Sequence, residues 1–182
     1  EGLEVDAEEI PLEIIYEDDH LLIINKPTGL TVHPGSGNES NTLVNGLLYK
    51  NIKLCKTDDE KRPGIIHRLD KDTSGIMLVI KTNECYEKML DMFKQHTVKR
   101  KYIALLKGEF PHDSATVDAP IGRDDVNRVK FAVTSINSKS AVTHLKVLKR
   151  FVGYTLVSLE LETGRTHQIR VHFKYIKHPV VG

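Results

Sequence analysis

Little in this chain of 182 residues points to a membrane, metal or redox protein. No apolar run approaches the roughly 20 residues that span a bilayer. Cysteine is scarce: Cys55 and Cys85 stand alone, with no Cys-x-x-Cys and no paired metal-ligand spacing. Two reduced thiols in a cytosolic, and hence cytoplasmic, protein are the simplest account. Neither a signal peptide nor an initiator Met opens the chain. Gly35-Ser36-Gly37 lacks the third glycine and the preceding strand of a dinucleotide site, so it reads as a turn. Net charge is only +1, which counts against a protein that coats DNA through many phosphate contacts but leaves room for a local basic groove.

What is present is an ordinary globular composition, 40% hydrophobic and 28% charged, enough for one domain with a sizeable core. The acidic residues 1–11 read as a linker remnant and residues 12–182 as the domain. Residues 12–16 and 21–25 predict two strands joined by a polar turn, the second apolar enough to be covered on both faces. Residues 41–49 predict a helix capped by Ser40 or Asn41. Thr82 or Asn83 caps the next helix, where Tyr86, Met89, Leu90 and Phe93 form a core stripe. Strands follow at 99–107, 140–149 and 154–162, the last two joined at Val152-Gly153. Residues 118–130 predict a projecting hairpin tip carrying Arg123, Arg128 and Lys130, either a solvated turn or a basic finger for phosphates. Ile169, Phe173 and Ile176 set a final helix entered through Thr163-Gly164. His167 and His172 are five apart and do not share a face as a zinc pair would, so no metal is expected.

The organising stretch is His67-Arg68-Leu69-Asp70-Lys71-Asp72-Thr73-Ser74-Gly75, which feeds the apolar run 76–80. A carboxylate on an irregular segment braced by a strand suits catalysis, and equally suits a plain loop ion pair. A kinase loop is excluded by spacing, since Leu69 separates Arg68 from Asp70 and Gly75 occupies the later Asn position. Arg170 borders the apolar stripe of the final helix, and a buried arginine needs a carboxylate partner, for which Asp70 is a candidate.

These motifs together resemble the RluA/RluD family of RNA pseudouridine synthases. His67-Arg68-Leu69-Asp70 with Thr73-Ser74-Gly75 is similar to the family signature. Asn25-Lys26-Pro27-x-Gly29 through His33-Pro34 resembles its first motif, and Lys101-Tyr102-x-Ala104 its tyrosine motif. Thr163-Gly164-Arg165-Thr166-His167-Gln168-Ile169-Arg170-Val171-His172 resembles its third motif, continued by His178-Pro179-Val180-Val181-Gly182. Residues around Ile10-Pro11-Leu12 and Tyr16-Glu17-Asp18 lean toward the RluD branch. That branch carries an N-terminal S4-type domain and further C-terminal strands, so the catalytic domain is expected to be C-terminally incomplete.

The resemblance implies an α+β fold with a mixed, mainly antiparallel central sheet, flanking helices and a catalytic cleft. It implies isomerisation of uridine in RNA, 23S ribosomal RNA in the first place, without cofactor, by a monomer that needs no membrane. Asp70 is then the catalytic carboxylate, Arg170 its guanidinium partner and Tyr102 the ring against the uracil. Arg68 and His67 face the flipped-out nucleotide, and Arg165, Arg123, Arg128 and Lys130 hold RNA. The alternative is a noncatalytic RNA-binding or ribosome-assembly module on the same fold, which would be expected to have lost Asp70, Tyr102 or Arg170.

Overall fold

The computed structural model describes residues 5–35 and 37–182. They form two compact units, one ending at Gln95 and the other running from His96 to Gly182. The division follows the strands. Hydrophobic pattern marks each strand but not its sheet, and here each unit completes sheets of its own.

In the first unit, β1 (Glu13–Glu17), β2 (Leu21–Lys26) and β3 (Gly75–Ile80) form an antiparallel sheet in the order β1-β2-β3. The Asp18 carboxylate shapes the first turn by accepting from the backbone N–H of His20 at 2.8 Å and of Leu21 at 2.9 Å. β2 is not covered equally on both faces: Leu22, Ile24 and Lys26 are buried, while Leu21, Ile23 and Asn25 are half-buried. Helix α1 (Leu43–Tyr49) is capped by Thr42, not by Ser40 or Asn41. Asn41 sits in the left-handed region at φ 56°, and its N–H is taken by the Glu8 carboxylate at 3.1 Å. Glu8 N–H also donates to Asn45 O at 3.1 Å, and the Asn45 side chain donates to Asp6 O at 2.8 Å. Residues 6–8, assigned to a linker from sequence, are therefore hydrogen-bonded to α1; residues 1–4 of that segment lie outside the described residues. Helix α2 (Asn83–Lys94) is capped by Thr82, and its Tyr86, Met89, Leu90 and Phe93 stripe is half-buried rather than core.

The second unit holds β4 (Arg100–Lys107), β5 (Ser114–Asp118), β6 (Ile121–Arg123), β7 (Phe131–Val133), β8 (Val142–Phe151), β9 (Tyr154–Leu161) and α3 (Gln168–Tyr175). One antiparallel sheet has the order β4-β9-β8-β5, and β6-β7 is a separate hairpin. One face of the larger sheet buries Leu106, Leu145, Val157 and Leu159 with Phe110 and with Phe173 of α3. Val152-Gly153 makes the two-residue β8–β9 turn, with Gly153 at φ 75°. The class is α+β as expected, with antiparallel strand pairs spread over three sheets. Among the described residues no helix is long and apolar enough to cross a membrane. Cys55 and Cys85 are free thiols.

Candidate active site

The Asp70 segment is a closed loop hung from β3. Gly64 and Ile65 lie along its free edge, where Ile80 N–H donates to Gly64 O at 2.9 Å and Ile65 bridges to Val79. Only glycine fits at 64, because φ is +71° and a Cβ would stand 2.8 Å from Ile80 O. Leu69 is buried and anchors the loop from below, leaving Arg68 exposed and Asp70 half-buried. His67 does not present a free ring to substrate. Its Nε2 accepts from Leu78 N–H at 3.0 Å, replacing a backbone acceptor on the β3 edge, and its ring lies 5.7 Å from that of Phe93. The proton is then on Nδ1.

A second loop, residues 26–30, clamps the far side. Lys26 is wholly buried, as the i, i+2 alternation with Leu22 and Ile24 requires. Its ammonium donates to Pro27 O at 2.8 Å, Leu30 O at 2.8 Å and Lys71 O at 3.0 Å. Gly29 N–H also donates to Lys71 O at 2.8 Å, and the Thr28 hydroxyl donates to Asp72 O at 3.1 Å. Thr73 N–H closes the turn on Asp70 O at 3.0 Å. Burial pushes the Lys26 pKa down, while Asp72 and Asp70 oppose that shift. Lys26 is thus a buried cation under the Asp70 loop to which the sequence reading gave no role.

Tyr102 and Arg170 belong to the other unit. Tyr102 is half-buried on the core side of β4, packed against the Leu106 and Phe173 cluster and opposite Leu159 of β9. Arg170 is half-buried on α3, and its Nη1 donates to the backbone oxygen of Gly182 at 2.9 Å. The residues that α3 buries are Gln168, Val171, His172 and Phe173. Arg165 Nε donates to Ser140 O at 2.8 Å. Arg100, two residues before Tyr102, donates to Glu162 O at 2.9 Å. Burial lowers the Arg100 pKa, Tyr102 raises it and Arg165 lowers it. Gly164 makes room for this guanidinium, since a Cβ there would lie 2.5 Å from Arg100 Nη1.

The 163–172 segment is held by buried neutral groups. The Thr163 hydroxyl donates to Gln168 Oε1 at 2.7 Å, which also accepts from Arg165 N–H at 3.1 Å. Gln168 Nε2 donates to Thr143 Oγ1 at 2.9 Å and Val142 O at 3.1 Å. His172 Nδ1 meets Thr143 Oγ1 at 2.9 Å, and its Nε2 meets Ala119 O at 2.8 Å. A carbonyl accepts only, so Nε2 carries the proton and Nδ1 accepts from Thr143. Burial lowers the His172 pKa and keeps the ring neutral, with both nitrogens engaged.

Arg123, Arg128 and Lys130 lie on the β6–β7 hairpin, as the expected projecting tip requires. Arg123 is folded back, with its guanidinium 4.2 Å over the Phe131 ring and Nη1 donating to Val129 O at 3.3 Å. Arg128 and Lys130 are exposed.

Residues 20–175 match the family model for RNA pseudouridylate synthase. The chain belongs to that family. It is 50% identical over 182 residues to an uncharacterized RNA pseudouridine synthase, YlyB, of Bacillus subtilis, covering 100% of this chain and 60% of that relative. It is 51% identical over 176 residues to ribosomal large subunit pseudouridine synthase D of Nitrosomonas europaea, covering 97% of this chain and 50% of that one. The chain therefore spans between half and three fifths of these relatives. Among solved structures, human RNA pseudouridylate synthase domain containing 1 superposes with a TM-score of 0.75 at 28% identity, covering 100% of this chain and 70% of that one.

Sequence reasoning quoted Lys26, Gln168 and His172 within the motifs but assigned no structural role to them or to Thr143. Signals existed for three of them: Lys26 continues the buried alternation of β2, and Gln168 and His172 are i, i+4 on one helical face. Thr143 alternates in phase with buried Leu145, but nothing local says what its hydroxyl meets.

Proposed function

We propose that this protein isomerises uridine to pseudouridine in RNA, with 23S ribosomal RNA as the substrate, and that Asp70 is its catalytic carboxylate. The observation that carries the reading is Asp70 itself: a half-exposed carboxylate on a loop tied down from both sides, in a chain of this family. The ribosomal substrate is supported by the names of relatives that share about half of its residues.

In the reaction the C1′–N1 bond breaks, the uracil turns, and C1′ bonds to C5. The C5 proton is lost and N1 gains one, so atoms and electrons balance without a cofactor. Breaking a glycosidic bond builds positive charge on the sugar, which an ionised Asp70 stabilises or traps. Arg170 is, in this reading, the guanidinium partner of that carboxylate. Tyr102 offers a flat face to the uracil and a hydroxyl for proton transfer. Arg68, exposed beside Asp70, meets the nucleotide flipped from the stack. Arg165 and the hairpin cations Arg123, Arg128 and Lys130 contact the RNA backbone, and the enzyme acts as a cytoplasmic monomer.

The test incubates full-length enzyme with ribosomal RNA that lacks the modification and carries tritium at uracil C5. Wild type should release tritium and leave pseudouridine at a defined site, and Asp70→Asn should bind the RNA and release none. Turnover by Asp70→Asn would overturn the catalytic assignment. RNA binding without release by wild type would leave the noncatalytic alternative.

A further inference from the structure

We propose that the outer face of the β4-β9-β8-β5 sheet is a second RNA-binding surface, which takes single-stranded RNA flanking the target. The proposal rests on the reading that RNA is the substrate, and adds a surface on the opposite side of this sheet from Tyr102.

Strand register decides which residues share that face. Phe151 and Tyr154 oppose one another at the β8–β9 turn, Lys149 opposes Leu156, and Tyr154 opposes Lys107. Stepping by twos along β4, the same face receives Lys101 and Ile103, and across the β8 bulge between Val147 and Lys149 it receives Lys146, opposite Ser158 of β9. The other face is the one closed by Phe110 and Phe173. The outer face is open: Ile103 is 72% exposed, Phe151 42% and Tyr154 43%. Lys101, Lys107, Lys146 and Lys149 are all exposed as well.

Charge selects the partner. Among the side chains that register places on this face, four are lysines and two, Glu160 and Asp118, are carboxylates, in a chain whose net charge is only +1. Glu162 at the end of β9 is engaged by His144 Nε2 at 2.7 Å, and Glu109 by Gly153 N–H at 3.2 Å. Lys149 Nζ lies 5.1 Å from the centre of the Phe151 ring. Exposed rings set among spaced ammonium groups on an antiparallel sheet fit unstacked bases joined by phosphates. A duplex would offer the phosphates but no faces to stack on.

The test uses full-length protein carrying Asp70→Asn, so that turnover does not interfere, and a fluorescent oligo(U) titrated at several salt concentrations. Lys146→Gln with Lys149→Gln should lower the slope of log affinity against log salt by about 1.4, because each lost contact to a single strand removes about 0.7. Phe151→Leu with Tyr154→Leu keeps apolar side chains at the hairpin end. It should weaken binding at least about tenfold while leaving the slope intact. Thermal melting checks that both variants fold. An unchanged slope in the lysine variant, or parental affinity in the leucine variant, overturns the proposal. So does protection of Lys146 and Lys149 from acetylation in the RNA-free full-length protein, which would assign the face to another part of that protein. Tritium release by wild type is scored separately. An enzyme that releases tritium while both variants bind unchanged loses only this surface. One that binds through the surface but releases none keeps the surface and loses the isomerase reading.

Discussion

The loop that carries Asp70 and the turn 163–167 that carries Arg165 and leads into α3 are both irregular backbone fixed from below, but by opposite means. In the first, one buried cation gathers carbonyl oxygens, since Lys26 donates to Pro27 O, Leu30 O and Lys71 O. In the second, neutral side chains pass hydrogen bonds from Thr163 through Gln168 and Thr143 to His172 and Ala119 O. A buried ammonium costs desolvation, offset here by three carbonyl acceptors. A neutral network satisfies its polar groups without burying a charge. The two devices should therefore fail differently.

The largest effect should come from Lys26→Met. Lys71 O keeps its bond from Gly29 N–H, but the Lys26 bonds to Pro27 O and Leu30 O are lost. Leaving the buried Leu30 carbonyl and the part-buried Pro27 carbonyl short costs about 2–4 kcal/mol, seen as a fall in denaturation midpoint. Turnover should fall further than stability explains, on the order of 100-fold, because the Asp70 loop loses its clamp. KM should move much less. A Lys26→Met enzyme with normal turnover would show that Gly29 and Thr28 alone hold the loop.

Gln168→Leu should cost about as much stability, roughly 2–3 kcal/mol, by stranding the Thr163 hydroxyl and the Thr143 oxygen. Its functional mark should differ. RNA affinity should fall more than turnover at saturating RNA, since the segment carries Arg165. A double-mutant cycle with Thr143→Val should show coupling between the two side chains, and additivity would mean that they are not one network.

Acid should loosen both units through one histidine each. His33 in the first unit and His172 in the second both have pKa values lowered from 6.5, chiefly by burial. A group whose folded pKa is depressed contributes stability that is present above its unfolded pKa and lost as pH falls through the folded value. Stability should thus hold above about pH 6.5 and decline below it, by at most about 1.4 kcal/mol per pH unit for each ring. His172→Gln should narrow the gap between denaturation curves at about pH 7.5 and about pH 5.5. A gap of undiminished size would place the acid sensitivity elsewhere.

How much of this was legible beforehand follows from what sequence patterns encode. Most strands, the three helices and the hairpin tip were readable because alternation and helical spacing are local, but the short edge strand β5 (Ser114–Asp118) was not marked. The cap of α1 was misplaced by one or two residues, because a remote contact from Glu8 holds Asn41 outside the helix. The grouping into two units was not readable, since periodicity says which face of a strand is buried and not which strand pairs with it. At the site, Asp70 stood out by its motif. The roles of His67 and His172 did not, because their ring partners Leu78, Thr143 and Ala119 lie 11, 29 and 53 residues away.

The smallest effect separates the starts of α1 in the first unit and α3 in the second. α1 begins with a reciprocal box, in which Thr42 Oγ1 accepts from Asn45 N–H at 3.4 Å and Asn45 Oδ1 accepts from Thr42 N–H at 2.9 Å. α3 begins instead at His167, in the left-handed region at φ 53° and with no side-chain cap bond. Thr42→Ala should therefore cost about 1 kcal/mol, the usual value of a lost cap, or a few degrees of melting temperature for a chain this long. His167→Gly should cost less than about 0.5 kcal/mol, because glycine adopts that backbone without strain and no cap bond is lost. If His167→Gly proves the costlier of the two, the ring packed edge-on to Phe131 at 6.0 Å is what sets the start of α3, and the neutral network would extend one residue further than the buried groups alone define.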